Sequence, residues 1–426
     1  MHKPVSTGLV LMGGGARAAY QAGVLQAVAQ IKRECGVRGS PFDILCGTSA
    51  GAINAAALAC VIDRFDLAVD TLASLWADLR PEHVYRADAF GVLRSGSRWM
   101  TMLTAGWALR RWRRTQPRSL LDNAPLREFL HDHIHLARLP RLLARGHLQA
   151  LAITGSSYSS GQHVTFYEAA QPVTPWTRSL RVAAPARITL EHLVASSAIP
   201  FVFPAQPLAF EGREEWFGDG SMRQSAPISP AIHLGAQRVM VIGAGRLADS
   251  QAPRTPLPGS EGAPSLAQIA GHALSNIFLD ALSVDVERAQ RINKTLALLS
   301  PEQRAATPLR PLQVLVISPS QRLDEVAARH QQELPRPIRA LLGAVGVQGQ
   351  GREASGSALA SYLLFVPGYV NELMALGLAD TLARRDEVCA FFGWASKLEP
   401  QEVPRTFSPH WPLGITSPPA PPARGR

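Results

Sequence analysis

One stretch of the chain carries no charge, and the elements predicted from the hydrophobic pattern lie on both sides of it. Residues 44–62 are uncharged and lie between Asp43 and Asp63. A run of this length approaches that of a membrane-spanning helix, but glycine, serine and asparagine fall in its first half. We therefore predict a buried strand, a tight turn and a buried helix in this stretch.

Along the rest of the chain, short apolar runs alternate with segments of helical periodicity. Apolar runs bounded by turn residues predict strands at 7–12, 148–154, 162–167, 237–243 and 312–318, with a Gly/Ser-rich turn at 155–161. Apolar positions with a helical period predict helices at about 20–34, 65–79, 121–133, 191–199, 227–234 and 266–282. Strands that alternate with helices indicate an α/β fold.

The turn inside the uncharged stretch has the spacing of a nucleophile elbow, Gly47-Thr48-Ser49-Ala50-Gly51. Gly47 and Gly51 remove side chains where the strand and the helix crowd each other, so the Ser49 hydroxyl projects from a strained turn. The following helix directs its positive end at the same point. For the bare motif, a turn that only connects two buried elements explains the pattern equally well.

A second glycine-rich turn follows the first predicted strand, Gly13-Gly14-Gly15-Ala16-Arg17. Three glycines leave backbone amides uncovered, which suits a phosphate or the oxyanion of an acyl transfer. The spacing Gly13-x-Gly15-x-x-Ala18 also fits a dinucleotide-binding fingerprint, but that fingerprint requires an acidic residue at the end of the next strand. Ser49 occupies that position, and a nucleotide-binding or scaffolding module stays the competing hypothesis from another class.

A third turn, Gly218-Asp219-Gly220, places a carboxylate directly after a strand-like segment. An isolated Asp-Gly pair is usually only a turn. Beside a candidate nucleophile at Ser49, however, a carboxylate on a constrained turn becomes a candidate base. The nearest rival enzyme is a Ser-His-Asp esterase or thioesterase, which would need a late histidine; the candidates are His233, His272 and His330.

The formal net charge is +10, and such a surplus favours anionic lipid surfaces, acidic ligands or nucleic acid. Because no recognition module accompanies the charge, we expect no nucleic-acid partner. Residues Arg94 to Arg118 contain seven arginines, interleaved tryptophans and no acidic residue. This segment is either a solvated helix or lid, or a peripheral contact with an anionic membrane.

Metal and disulfide sites are not expected. The spacing of His131, His133 and His135 places these side chains on different faces of a helix, and no carboxylate set completes a site. The four cysteines have neither pairing nor metal-binding spacing, which is typical of buried thiols in a reducing compartment. With no apparent signal peptide, the expected location is the cytoplasm.

Taken together and in this order, four motifs resemble those of the patatin-like phospholipases. The resemblance covers about residues 5–245, and residues 361–377 are similar to the family's closing helix. Two positions depart from the family pattern, Ala18 and Ser221, and neither change removes a reacting group. The motifs are Gly13-Gly14-Gly15-Ala16-Arg17, Gly47-Thr48-Ser49-Ala50-Gly51, Ala195-Ser196-Ser197-Ala198-Ile199-Pro200 with Phe203-Pro204, and Asp219-Gly220.

The resemblance implies a three-layer α/β/α fold with a central, mostly parallel sheet. It implies a catalytic dyad in which Ser49 is the nucleophile and Asp219 the base, with no histidine and no cofactor. The amides of Gly14, Gly15 and Ala16 would then hold the oxyanion, while Arg17 either steers a phosphate or caps local structure. The implied substrates are fatty acyl esters of phospholipids or lysophospholipids.

The expected organisation is one large domain followed by a tail. Residues 1–395 form the α/β domain, with a motif-bearing core at about 5–245 and a C-terminal extension at about 265–395. Residues 396–426 are proline-rich, which is typical of a disordered segment. A lipid acyl hydrolase with this charge is expected in the cytoplasm, in peripheral contact with the inner membrane surface.

Overall fold

The computed structural model describes residues 5–86, 119–246, 265–344, 346–347 and 356–395. The arginine-rich segment 94–118 and the tail 396–426 lie outside these residues, so what the sequence predicts for them stays a prediction. The division into a domain of 395 residues and a tail likewise stays a prediction.

Within the described residues the central element is a ten-stranded sheet. Its main order is β10-β9-β1-β2-β3-β4-β6-β5; β8 also pairs with β3, and β7 pairs with β8. The strands from β10 to β3 run parallel, whereas β4 and β8 each run antiparallel to β3. The strands are β1 (Thr7–Leu11), β2 (Ile44–Thr48), β3 (Ala150–Ser157), β4 (His163–Ala169), β5 (Thr177–Arg178), β6 (Arg181–Pro185), β7 (Gln206–Phe210), β8 (Arg213–Asp219), β9 (Arg238–Ile242) and β10 (Gln313–Ile317).

Helices cover both faces of this sheet. The helices are α1 (Ala19–Glu34), α2 (Ala50–Ala59), α3 (Phe65–Asp78), α4 (Pro81–Val84), α5 (Ala124–His133), α6 (Leu139–Ala144), α7 (Leu190–Ser196), α8 (Ser229–His233), α9 (Leu266–Ala297), α10 (Pro301–Ala306), α11 (Leu323–His330), α12 (Arg336–Ala344), α13 (Ser357–Leu363), α14 (Pro367–Ala383) and α15 (Arg385–Phe392). Two separate clusters of buried apolar side chains fill the two interfaces. Every residue of β1 and β2 is buried, as expected for parallel strands with helices on both faces. The predicted α/β architecture with a mostly parallel sheet is confirmed.

One predicted turn is wrong in a way that matters for the site. The sequence predicts that β3 ends at Thr154 and that a turn occupies 155–161, but β3 continues to Ser157. The extra residues pair with the end of β8, so that Gly155 lies opposite Asp219. Pairing with a second strand therefore overrides the weak strand propensity of glycine and serine.

Two helical predictions also need correction. The helix that starts at Leu266 continues to Ala297, well beyond the predicted end at 282. The predicted closing helix at 361–377 is instead parts of two helices, α13 and α14, which meet at an angle of 93°. The break precedes Pro367, which has no amide hydrogen to continue a helix and disfavours the helical conformation in the residue before it.

No single helix in the described ranges is both long enough and apolar enough to cross a membrane, although the bent pair α13 and α14 passes that test by length and composition. All four cysteines are free and buried. The Sγ atoms of Cys35 and Cys389 lie 3.9 Å apart, well beyond the disulfide bond length of about 2.05 Å.

Candidate active site

Ser49 lies at the carboxyl end of β2, between the last strand residue and the first residue of α2. Its backbone has φ 57° and ψ −132°, a conformation that a residue with a Cβ adopts only when its surroundings enforce it. Its side chain is almost completely buried, at 1% exposure. The surroundings of Ser49 therefore hold a strained turn at the junction of β2 and α2.

Glycine at position 51 is required by the close approach of the elbow to β1. A Cβ built on Gly51 would lie 2.2 Å from the carbonyl oxygen of Leu11. Gly47 is enclosed in the same way, because its Cβ would lie 2.4 Å from the carbonyl oxygen of Gly51. The glycines of the elbow therefore let strand and helix meet at distances that no side chain permits.

We expect Gly51→Ala to lower the free energy of unfolding by about 1–3 kcal/mol or more, the usual cost of forcing extra atoms into a packed core. Gly343→Ala is the matched control, because Gly343 lies in α12 and a Cβ there meets no atom within 4 Å. Alanine favours a helix interior over glycine, so the control should be neutral or stabilising. Urea unfolding measures both, and equal midpoints for the two variants would contradict the crowding at the elbow.

Asp219 reaches Ser49 through the pairing of β8 with β3. The carboxylate is fully buried, and its Oδ2 accepts a hydrogen bond from the Ser49 Oγ at 2.5 Å. Its Oδ1 accepts from the backbone amide of Ser221 at 2.8 Å. Gly220 lies between Asp219 and Ser221 in the chain, and a Cβ on Gly220 would lie 2.2 Å from the carbonyl oxygen of Thr154. Both carboxylate oxygens are thus held in place on a turn with no space for movement.

Burial controls the protonation of this carboxyl group. Loss of hydration raises the pKa of Asp219 from 3.8 to about 6, and hydrogen bonds from Ser49 and Ser221 limit the rise. A carboxyl group with this pKa is ionised at neutral pH yet is a better proton acceptor than an exposed aspartate. The arrangement can therefore take a proton from the Ser49 hydroxyl and return it.

Ser196 connects three elements at this point. Its hydroxyl is fully buried, accepts a hydrogen bond from the Ser49 backbone amide at 2.9 Å and donates one to the Thr154 carbonyl at 2.6 Å. Through the bond to the amide, a residue of α7 stabilises the strained backbone of Ser49. Sequence reasoning did not assign this role, and the one available signal was the place of Ser196 in the motif 195–200.

The glycine-rich loop lies at the same edge of the sheet as Ser49, because β1 and β2 are parallel neighbours with Leu11 opposite Gly47. After Gly13 and Gly14 the chain forms a 3₁₀ turn, Gly15–Ala18, whose residues are all buried. Gly15 has φ +53°, and a Cβ there would lie 2.3 Å from the Tyr362 carbonyl oxygen. The loop is therefore fixed against α13 in a conformation that favours glycine.

Arg17 anchors this loop. The guanidinium is 4% exposed, its Nε donates to the Ser361 Oγ at 2.7 Å, and its Nη2 donates to the Ala358 carbonyl at 3.3 Å. It also lies over the ring of Tyr362, at 4.1 Å from the ring centroid. Of the two roles left open by the sequence, these contacts correspond to the structural one, because a buried and bonded guanidinium is not available to an incoming phosphate.

A buried hydrogen-bond chain supports the loop from its other side. Gln21 donates to the Met12 carbonyl at 2.7 Å, and Asn54 donates to the Gln21 Oε1 at 2.8 Å and to the Ala18 carbonyl at 3.2 Å. The Trp76 indole N–H completes the chain by donating to the Asn54 Oδ1 at 2.8 Å. Satisfied buried polar groups of this kind rigidify their surroundings. Their signal in the sequence is faint, because a single polar residue on an apolar helix has many explanations.

The histidines of the rival triad have other environments. His233 stacks on Trp176 with ring centroids 4.6 Å apart, His330 lies between Glu333 and Glu372, and His272 is exposed on α9. In the part of the chain that the structure describes, the side-chain hydrogen bonds of Ser49 and Asp219 involve no histidine.

The histidine cluster of the sequence has other contacts in the structure. His131 bonds to Asp132, and His133 bonds to the Phe129 carbonyl at 2.8 Å. Across the described ranges, no group of three or more histidine, cysteine, aspartate or glutamate side chains is arranged to hold a metal ion.

Three solved structures illustrate what the chain is similar to. VipD from Legionella pneumophila is 13% identical with a TM-score of 0.31, over 74% of this chain and 62% of VipD. Human GIVD cytosolic phospholipase A2 is 11% identical with a TM-score of 0.36, over 92% of this chain and 63% of that enzyme. Full-length ExoU from Pseudomonas aeruginosa, in complex with SpcU, is 23% identical with a TM-score of 0.18, over 38% of this chain and 35% of ExoU.

The chain thus spans less than two thirds of each of these proteins, and similarity at this level carries no information on activity or partners. No curated protein sequence matches the chain. The model of the Patatin-like phospholipase family, in contrast, matches residues 9–232, which is more than half of the 426 residues and includes the glycine-rich loop, the elbow and Asp219. The chain therefore belongs to the patatin-like phospholipase family.

Proposed function

We propose that the protein is a serine lipid acyl hydrolase that cleaves fatty acyl esters of phospholipids or lysophospholipids. The observation that carries the proposal is the hydrogen bond of 2.5 Å from the Ser49 hydroxyl to the buried Asp219 carboxylate. A serine on a strained turn, bonded directly to a carboxylate whose pKa burial raises to about 6, is a nucleophile next to its base.

In the first half of the proposed reaction, the Ser49 Oγ attacks the ester carbonyl carbon while Asp219 takes the hydroxyl proton. The tetrahedral intermediate collapses when the bond to the leaving alcohol breaks, and Asp219 gives its proton to that alcohol. The acyl group is then bound to Ser49. In the second half a water molecule gives a proton to Asp219 and attacks the acyl-enzyme, the Ser49 oxygen regains the proton, and the fatty acid leaves.

The charge that develops on the carbonyl oxygen needs hydrogen-bond donors. The backbone amides of Gly14, Gly15 and Ala16 are our candidates, because their loop lies at the same sheet edge as Ser49 and is held rigid by Arg17 and by the Gln21 network. Helix α2 begins directly after Ser49, and the partial positive charge at its amino end favours the negative charge on the oxyanion. Rigid donors stabilise the transition state without reorganisation during the reaction.

The direct test is incubation of the purified protein with glycerophospholipid or lysophospholipid, followed by measurement of free fatty acid. We expect release of fatty acid that is unchanged by a chelator and by the absence of nucleotide, because the proposed chemistry uses neither. No release from either lipid, or turnover that a chelator abolishes and a divalent ion restores, would contradict the proposal.

The arginine-rich segment 94–118 is proposed, on its sequence alone, to bind anionic membranes and so to bring insoluble substrate to the enzyme. It lies outside the described residues. Cytoplasmic location with peripheral membrane contact stays a prediction in the same sense.

We expect Ser196→Ala to lower kcat roughly 10–100-fold, because the Ser49 amide loses its partner and small displacements of reacting groups are costly. Ser197→Ala is the matched control: it also removes a buried hydroxyl, which donates to the carbonyls of Leu193 and Val194 in the preceding helix turn. Turnover of a soluble ester by folded variants measures the effect. Equal turnover by the two variants would remove the positioning role.

A further inference from the structure

A pocket with a volume of about 400 Å³ opens beside the loop that follows Asp219. Three parts of the chain form it: the turn between β5 and β6 (Ser179, Leu180 and Arg181), the loop 221–225, and Ala281 of α9. A volume of this size accommodates a small polar headgroup. Its lining residues include neither member of the proposed dyad and no residue of the glycine-rich loop.

Hydrogen bonds connect two residues of the pocket wall to Asp219 and to Thr48. The amide of Ser221, a lining residue, donates to Asp219. Gln224, another lining residue, donates from its Nε2 to the hydroxyl of Thr48 at 2.7 Å, and Thr48 directly precedes Ser49. Two lining residues therefore contact Asp219 and the residue that precedes Ser49.

Two guanidinium groups give the pocket a positive charge. Arg223 is fixed by a hydrogen bond of 2.7 Å from its Nη1 to the Gly161 carbonyl, and its remaining donors are not used by other described residues. Arg181 is half-buried and has no ion pair or side-chain hydrogen bond within the described ranges. Burial lowers the pKa of His163 to about 4, and the uncompensated charge of Arg181 contributes to that shift.

Among the side chains that the structure describes, the carboxylate of Asp285 lies near enough to be affected by Arg181, and it has other partners. Buried Asp285 accepts a hydrogen bond from the Ile228 amide at 3.1 Å and lies 3.7 Å from the Arg288 Nη1. Burial raises the pKa of Asp285, and the field of Arg181 only partly opposes this rise. The side chains that the structure describes around the pocket therefore leave a positive charge that an anion can neutralise.

We propose that this pocket binds the phosphate group of a glycerophospholipid headgroup, with Arg181 and Arg223 as its ligands. The proposal rests on the proposed function and assigns a binding site for the phosphate group of its substrate. Guanidinium groups bind phosphate oxygens through charge-assisted hydrogen bonds of fixed geometry. In a glycerophospholipid the phosphate and the acyl esters share one glycerol, so binding of the phosphate here brings an ester towards Ser49. Arg17, the alternative from the sequence, is buried and already bonded.

The first test measures binding of glycerol 3-phosphate by isothermal titration, which does not depend on turnover. The variant is Arg181→Gln with Arg223→Gln, and the control is Arg178→Gln with Arg213→Gln, which removes the same charge from exposed arginines that do not line the pocket. We expect affinity to fall by about tenfold for each pocket arginine, since a hydrogen bond to a charged group contributes of that order. The control should bind like wild type.

The second test measures hydrolysis of a soluble short-chain phosphatidylglycerol and of the matched diacylglycerol. In the pocket variant we expect KM for the phospholipid to rise about tenfold or more, while kcat/KM for the diacylglycerol stays at the wild-type value. Thermal unfolding checks that both double variants fold. This pair of substrates separates a headgroup site from a site for free phosphate, which would leave both hydrolytic rates unchanged.

Absence of glycerol 3-phosphate binding, or equal binding by wild type and the pocket variant, would overturn the proposal. Binding without any change in phospholipid KM would also overturn it, because the site would then serve free phosphate. Failure of the wild type to hydrolyse either ester would instead contradict the proposed function, and the titration would still decide whether the pocket binds phosphate.

Discussion

Replacing Ser49 with alanine should reduce ester hydrolysis by at least about a thousandfold, because removal of the proposed nucleophile leaves only catalysis by binding and electrostatics. The substitution deletes one oxygen and its hydrogen bond of 2.5 Å to Asp219. The Cβ is kept, so the elbow should retain its packing. Initial rates on a soluble short-chain ester measure the effect without dependence on vesicle binding.

Ser197→Ala serves as the control for this prediction as well, since it removes a buried hydroxyl from the same region while its contacts stay within one helix. We expect the control to keep most of the wild-type rate. A folded Ser49→Ala variant that hydrolyses ester at a comparable rate would exclude Ser49 as the nucleophile.

Replacing Asp219 with asparagine should lower the rate by about a hundredfold or more, because the amide cannot accept the Ser49 proton. The pH profile gives a second readout. Since the base must be ionised and its pKa is raised to about 6, wild-type activity should rise with pH through that value and level off above it. Residual activity of the variant should lack this rise.

Asp219→Asn, which lowers activity, should raise the stability of the fold at neutral and alkaline pH. The folded pKa of Asp219 is about 6 against 3.8 for a free group, so the folded state binds the proton more tightly. Its contribution to stability is therefore fully present below about pH 3.8 and is lost as the pH rises to about 6. At pH 8 the variant, which buries no charge, should unfold at a higher urea concentration than wild type.

A variant that loses both activity and stability at pH 8 would show that Asp219 acts mainly by holding the fold together. His233→Ala and His272→Ala complete the comparison. If either abolishes hydrolysis with the fold preserved while Asp219→Asn does not, a Ser-His-Asp triad explains the chemistry better.

The local parts of the site could be predicted from the sequence because each is a motif of closely spaced residues. The elbow, the glycine-rich loop and the turn at Asp219 each consist of a few consecutive residues, and glycine at 51 has a steric reason that the motif expresses. What joins Ser49 to Asp219 is not local. It depends on the pairing of β8 with the last residues of β3. The glycine and serine residues of that segment predict a turn and not a strand.

Arg17 shows a second limit of sequence reasoning. Its charge suggested either a phosphate contact or a structural cap, and only the position of α13 decides between them, because Ser361 and Tyr362 are more than 300 residues away. Ser196 is a similar case, since the direction of a hydroxyl group leaves no mark on periodicity or composition.

The two departures from the family pattern have compatible surroundings. Ala18 is fully buried, and its carbonyl accepts a hydrogen bond from Asn54. Ser221 is buried as well, and its amide bonds to Asp219 as any residue at that position could. Neither side chain displaces Ser49 or its partner.

Labelling with a fluorophosphonate, followed by identification of the modified peptide by mass spectrometry, directly tests whether Ser49 is the nucleophile. This reagent reacts with activated serine hydroxyls, and the carboxylate of Asp219, the proposed base, accepts a hydrogen bond of 2.5 Å from the Ser49 hydroxyl. We expect modification of Ser49 in wild type, strongly reduced modification in Asp219→Asn, and none in Ser49→Ala. Label on another residue, or undiminished label in a folded Ser49→Ala protein, would contradict the assignment of Ser49 as the nucleophile.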